Sequence, residues 1–240
     1  MNHTKRHILS PGKAARAAAA AILLCMGMPL QQTMADEYWD RKSSLFEILP
    51  IRGEDIVMLG NSITDGGEFS ELFGIHNIKN RGISSDMITG VEKRLGQVTA
   101  GHPAKIFLLI GINDVSHGHS VATLAERYAR LVKKIREQSP DTRLYIQSVM
   151  PIDNDYRRYK GLFGKEKTIR DFNIRIKEIA DGNGAEYIDL WPTLAGADGK
   201  LKKEYTNDGL HLNGAGYRAW TRAIEKYIRD LRLFQAWIED

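Results

Sequence analysis

Residues 105–110 read Lys-Ile-Phe-Leu-Leu-Ile, an unbroken apolar run behind a single lysine. A strand with one wetted face alternates polar and apolar residues. A strand that is apolar at every position must be covered on both faces, as in the centre of a parallel sheet with helices on either side. Four further stretches read as strands around it: Asp55–Leu59, Asn77–Asn80, Arg143–Val149 and Glu186–Leu190. Between and after them, Ser85–Val98, Val121–Gln138, Thr168–Gly182 and Asn213–Leu231 carry apolar residues at helical spacing. Ser120 and Asn213 stand where N-caps belong. This alternation predicts an α/β fold: a single-domain three-layer α/β/α sandwich with a five-stranded parallel sheet, flavodoxin-like. Ligands of such sheets bind beyond the carboxyl ends of the strands.

The first 35 residues read as an export signal rather than part of that fold. Lys5, Arg6, Lys13 and Arg16 form a basic start, Ala17–Leu30 an apolar core, and Thr33-Met34-Ala35 a small-residue site for cleavage before Asp36. The apolar core is short for a membrane span, so no stable membrane insertion is expected after cleavage, and the product is expected to be periplasmic or secreted. The competing readings are an uncleaved anchor and a lipoprotein modified at Cys25, the latter disfavoured by the bulky Leu24 before it. Residues 36–53 then form a lead-in, with Tyr38, Trp39, Leu45 and Phe46 available for packing, and 54–240 form the domain.

Removing the leader changes what charge implies. The leader holds four of the 34 Lys and Arg and no acid, leaving 30 basic side chains against 30 Asp and Glu. The basic pI of the full chain is therefore no argument for a nucleic-acid partner. Cys25 is the one cysteine, so the mature chain has neither a disulfide nor a thiol nucleophile. No metal-ligand cluster and no Gly-rich phosphate loop stands out, so neither metal nor other cofactor is expected. Nothing in the sequence sets an oligomeric state.

Two segments carry the chemistry. Gly60-Asn61-Ser62-Ile63-Thr64 follows the first strand, and Asp208-Gly209-Leu210-His211 lies near the C-terminus. Acyl transfer by serine needs a hydroxyl, a base within hydrogen-bond reach and a group that fixes the imidazole tautomer. Asp208 and His211 are three apart, so one turn can aim both at Ser62. Asp114 is the competing acid, but it shares no short loop with His211 and reads better as an acceptor that ties down its own loop. His102, His117 and His119 are competing bases without a carboxylate at comparable spacing. Asn80-Arg81-Gly82 and Gly111-Ile112-Asn113-Asp114 each follow a strand-like stretch and could supply an oxyanion hole.

Taken together, these four blocks resemble those of the SGNH hydrolases, also called GDSL esterases, across roughly residues 54–230. The letters match Ser62, Gly82, Asn113 and His211 in order. The resemblance implies Ser62 as nucleophile, His211 as base and Asp208 as the orienting acid. It also implies an oxyanion hole from Ser62, the Gly82 backbone N–H and the Asn113 side chain. One departure is Asn61, where the family usually has Asp. The branch with Gly-Asn-Ser-Ile-Thr, Asn-Arg-Gly and Asp-Gly-Leu-His-Leu is similar to platelet-activating-factor acetylhydrolase-like enzymes and bacterial sialate or carbohydrate O-acetylesterases. That points to an exported serine esterase acting on a short acyl group, acetyl above all, carried by a small molecule or glycan. Alternatives are a lysophospholipase or thioesterase on the same fold, and a non-catalytic glycan-binding module. Candidate substrate contacts are Glu68 and Phe69 after the nucleophile, His117 after Asn113, and Tyr156 and Arg157 in the aromatic and basic loop 151–167. The lysine-rich loop 191–206 is a second candidate.

Overall fold

The computed structural model describes residues 30–230. Contacts divide the chain into two compact units, residues 1–38 and 39–240. Of the first, residues 30–38 are described and are helical, the opening part of α1 (Leu30–Glu47). The basic and apolar parts of the expected leader, up to residue 29, lie outside the described residues. Most of the expected lead-in is thus helix. Within the second unit, Phe46 is buried and Trp39 is hydrogen-bonded, but Leu45 stays exposed rather than packing.

The second unit continues with β1 (Ile56–Gly60), α2 (Ser62–Asp65), α3 (Phe69–Phe73), β2 (Ile78–Gly82), α4 (Ile88–Lys93) and α5 (Gly96–Thr99). Then come β3 (Lys105–Leu109), α6 (Ile112–Ser116), α7 (Val121–Gln138), β4 (Arg143–Gln147), α8 (Glu166–Gly182), β5 (Glu186–Ile188), α9 (Trp191–Leu194) and α10 (Gly214–Ile228). All five strands are parallel, in the order β2-β1-β3-β4-β5. The apolar run at 105–110 is the middle strand, and every residue of β3 is buried, as its lack of alternation requires.

Helices cover both faces. α7 lays Leu124, Tyr128, Leu131 and Ile135 inward along one stripe, and α4 and α8 pack beside it. α3 and α9 pack against α10. The strands contribute aromatic residues toward α10: the Phe107 and Tyr145 rings stack at 4.5 Å, and Tyr145 meets Tyr227. Both expected caps form, Ser120 accepting from Thr123 N and Asn213 from Gly216 N. These two bonds fix where α7 and α10 begin.

The stretch expected as one helix over 85–98 is broken. Ser85 is left-handed at φ 67°. The Asp86 side chain takes the Met87 N–H and Asp114 takes the Ile88 N–H, so the helix starts only at Ile88. Apolar spacing could not register acceptors supplied by the chain's own loops.

Lys105 explains itself in three dimensions. It is 4 % exposed, and its Nζ donates to the carbonyls of Tyr227, Ile228 and Asp230 at 2.8–2.9 Å. A cation on the last carbonyls of α10 satisfies their orphan acceptors and the negative end of the helix dipole. It pins that helix to the amino end of the central strand. The carboxyl ends, including the β1/β3 crevice where the strand order reverses, are left for chemistry.

Candidate active site

β1 ends at Gly60, and the chain turns directly into α2. Asn61 caps that turn, its Oδ1 accepting from Ile63 N at 3.1 Å. Because Asn61 does the capping, the Ser62 hydroxyl is not spent on the backbone. Where the family's usual Asp is replaced by Asn, the cap is still made. Ser62 Oγ lies 2.9 Å from His211 Nε2. On the far side of the ring, His211 Nδ1 is 2.8 Å from Asp208 Oδ2. With Nδ1 carrying the proton, Nε2 presents a lone pair to the serine hydroxyl, the arrangement a general base needs.

The turn that carries Asp208 and His211 is held by its own polar groups. Asp208 Oδ1 accepts from Leu210 N at 2.9 Å and His211 N at 2.8 Å, while Thr206 Oγ1 accepts from Gly209 N at 2.9 Å. Gly209 sits at φ 85°, and a Cβ there would come 2.1 Å from the Asp153 carbonyl oxygen. Only glycine lets the turn lie against the loop after β4, where Asp153 N donates to Gly209 O at 2.8 Å. Burial works against the Asp208 charge, but the bonds from His211, the Tyr159 hydroxyl and the Leu210 and His211 amides outweigh it. They hold the carboxyl well below its usual range. A depressed folded-state value means that this contribution is complete above the ordinary carboxylate range and is lost only as pH falls below it.

The oxyanion side departs from expectation at Gly82. Its N–H is already engaged, donating to Asn80 Oδ1 at 2.7 Å, and is not free for a substrate. Gly82 is glycine for a steric reason: a Cβ would sit 2.2 Å from Asp65 N at the end of α2. The sequence motif marked the right segment but the wrong donor. Beyond Gly82, the Ser84 N–H goes to Asp65 Oδ2 and the Asp86 N–H to Ile83 O. The Ser85 N–H between them has no bond among the described residues, and its left-handed backbone turns it away from its neighbours. Asn113 is brought to this part of the loop, its Nδ2 donating to Asp86 O at 2.8 Å. One Asn113 amide hydrogen is thereby anchored, leaving the second available.

Glu68 is exposed and forms no cap bond, whereas Phe69 is in the core, edge-on to Trp220 and Tyr217; it does not line the site. His117 is exposed and bonds the Asn113 carbonyl through Nδ1 at 2.7 Å. Tyr156 packs by Gly209, and Arg157 lies over the Phe163 ring at 5.5 Å; neither has a hydrogen bond to Ser62, Asp208 or His211. His102 is hydrogen-bonded to Ser139 Oγ at the opposite, amino end of the strands. The residue overlooked is Tyr159, whose hydroxyl reaches both Asp208 and His211. Three positions from Tyr156 in an aromatic-rich loop, it bore no distinguishing signal. Asp114 faces away from the imidazole. It accepts from Ile88 N at 3.0 Å and pairs with Arg127, and burial pushes its carboxyl up against those two favourable contacts.

The model of the GDSL-like Lipase/Acylhydrolase family matches residues 58–219, which include every block described above. The chain belongs to this family. It is a carboxylic ester hydrolase. A candidate platelet activating factor from Streptococcus pneumonia is similar in structure, with a TM-score of 0.75 and 25% identity over 88% of this chain and 99% of that one. The acetylxylan esterase Axe2 from Geobacillus stearothermophilus shares the fold, with a TM-score of 0.59, 20% identity and coverage of 74% and 95%. In sequence, 181 residues are 26% identical to the N-acylneuraminate cytidylyltransferase of Escherichia coli O18:K1:H7 (strain RS218 / NMEC). That match takes in 73% of this chain but only 40% of the relative's length.

Asp114 supplies a test of the acid's identity. Asp114→Asn weakens a charge-assisted bond to the start of α4 and should cost about 1–3 kcal/mol in chemical denaturation. Ester turnover should fall by less than about tenfold, under 1.4 kcal/mol of barrier. A severe loss of kcat with unchanged stability would move Asp114 into the chemistry.

Proposed function

We propose that this protein is an exported serine esterase that removes short acyl groups, acetyl above all, from carbohydrate esters by a Ser62–His211–Asp208 triad. The observation that carries the reading is the continuous chain from Ser62 Oγ through both imidazole nitrogens to Asp208 Oδ2, at 2.9 and 2.8 Å. A pure glycan-binding module has no need of that alignment. In the first half-reaction Ser62 Oγ attacks the ester carbonyl carbon while His211 Nε2 takes the hydroxyl proton. The tetrahedral oxyanion is received by the N–H groups of Ser62 and Ser85 and the free Asn113 amide hydrogen. Collapse breaks the bond to the alcohol oxygen, which leaves with the proton from His211. Water, deprotonated by the same base, then releases the acid from the acyl-enzyme and returns the proton to Ser62.

Two considerations support a short acyl group on a sugar. The loops after β4 and β5 contain only single-turn elements, Asn154–Tyr156, Lys160–Leu162, α9 and Lys203–Tyr205, and no long amphipathic helix of the kind that shelters lipid chains. The relatives include an acetylxylan esterase and an enzyme named for an N-acylneuraminate, both tied to carbohydrate. Export is supported by the basic, apolar and small-residue order of the first 35 residues. Among the described residues, no helix is long and apolar enough to cross a membrane.

Three measurements test this reading. Ser62→Ala should lower kcat/KM by several orders of magnitude with the fold intact, because the members of a triad act as a unit. Retention of more than about a tenth of wild-type kcat/KM would refute the mechanism. Across p-nitrophenyl esters, acetate and propionate should be preferred to octanoate, since one methylene in a pocket is worth about 1–3 kcal/mol. A steady rise to the eight-carbon ester would favour a lysophospholipase or thioesterase instead. N-terminal sequencing of protein recovered from outside the cytoplasm should begin at or near Asp36, and retention of Cys25 would overturn soluble export.

A further inference from the structure

We infer that Tyr159 is a positioning residue of the triad whose hydroxyl shares Asp208 Oδ2 with the imidazole and so limits how much of the Asp208 charge reaches the imidazolium formed during attack. The inference rests on the esterase reading above, and deepens it.

Tyr159 lies in the loop after β4, just before the single turn Lys160–Leu162, and is half-buried. Its hydroxyl oxygen is 2.7 Å from Asp208 Oδ2 and 3.0 Å from His211 Nδ1, while those two atoms are 2.8 Å apart. The three atoms form a nearly equilateral triangle. When Nδ1 carries its proton, which the serine–histidine alignment requires, it cannot also accept one from the phenol. The tyrosine proton therefore goes to Oδ2, and that oxygen accepts from two donors at once. Asp208 Oδ1 is separately occupied by the Leu210 and His211 amides. The ring stands edge-on to the imidazole at 5.7 Å, so the contact is fixed by packing as well as by the hydroxyl. Beside a carboxylate and partly buried, the phenol is held firmly protonated, above its usual range, and stays a donor throughout the working pH.

The physical consequence is a division of charge. A carboxylate that accepts an additional hydrogen bond offers less of its negative charge to a neighbouring cation. The imidazolium formed during attack is therefore stabilised less than it would be beside an unshared Asp208. Asp208 Oδ2 is held in place by the phenol on one side and the imidazole on the other. The groups facing the imidazole are the Ser62 hydroxyl from α2, Asp208 from its own turn and Tyr159 from the loop after β4. The Arg158 charge acts on the phenol against the effect of burial, and the Asp153 backbone packs behind Gly209. Arg158 and Asp153 are unaltered in a Tyr159 variant, so their effects cancel in the comparison.

Tyr159→Phe keeps the ring and removes only the hydroxyl. The acid limb of its kcat/KM profile for p-nitrophenyl acetate should move to higher pH by about half a unit or more, since one unit corresponds to 1.36 kcal/mol of differential interaction. Well down the acid limb that is a loss of about threefold or more, whereas the alkaline plateau and KM should stay within about threefold of wild type. A packing role alone would lower the plateau or the Tm and leave the limb where it was. An unmoved limb, or one displaced to lower pH, overturns the inference. NMR titration of the His211 ring in wild type and Tyr159→Phe reads the same displacement without turnover. If the ring titration moves up while neither protein hydrolyses esters, the tyrosine assignment stands and the esterase reading falls. If turnover is normal and neither measurement moves, the tyrosine assignment falls alone.

Discussion

A buried ion pair beneath the carboxyl ends of the strands organises the loops that matter. Arg94 Nε donates to Asp86 Oδ2 at 2.8 Å, and both side chains are about 1% exposed. The same guanidinium donates to the carbonyls of Gly60, the last residue of β1, and Arg81, the last but one of β2. Asp86 in turn accepts from Trp39 Nε1 and Met87 N, and its backbone carbonyl holds Asn113. The loops after three adjacent strands are thus referred to one pair of charges. Burial costs both ions heavily, and such a pair is weak evidence for stability by itself. Its value here is geometric. Removing either partner would strand the other in the interior, so the loops bearing Ser62, Ser85 and Asn113 cannot move independently.

The other half of the site is built differently. The Asp208–His211 turn is short, self-bonded and tied to the loop after β4 by Gly209. Its rigidity comes from satisfied polar groups rather than from a buried salt bridge. Ser62, from the first strand, and His211, from the last loop, meet because the sheet brings the carboxyl ends of its strands to one edge. α10 is locked at the other edge by Lys105. A nucleophile on a helix start and a base on a turn need no mobile element to come within hydrogen-bond distance.

Much of this was legible in the sequence, for reasons that can be named. The central strands β1 and β3 are legible because strands covered on both faces are apolar nearly throughout, and α7 runs over Val121–Gln138, the span its periodicity predicts. Three motif blocks are legible because each couples a special residue to a strand end, and the fourth because Asp208 and His211 share one short turn. What escaped depends on hydrogen-bond bookkeeping. Gly82 looked like an oxyanion donor because glycine is permissive, but its N–H belongs to Asn80 and its missing Cβ makes room for Asp65. Phe69 looked like a substrate contact because it follows the nucleophile, yet it belongs to the core with Trp220.

The sequence by itself determined the fold class, the family and the segments that converge, since apolar period and local turn chemistry are properties of neighbours along the chain. Only the tertiary structure decided which atoms in those segments remain available. A donor is free or spent according to the bonds the folded backbone gives it, from a near neighbour as Asn80 does for Gly82 or from a distant loop as Asp86 does for Asn113. Tyr159 shows the same limit from the other side. It lies 49 residues from Asp208 and 52 from His211, and no local pattern marks it out from Tyr156. Its place beside the imidazole arises because β4 and the Asp208 turn are brought together across the sheet, and hydrogen bonds between distant segments are set by that packing, not by spacing in the chain.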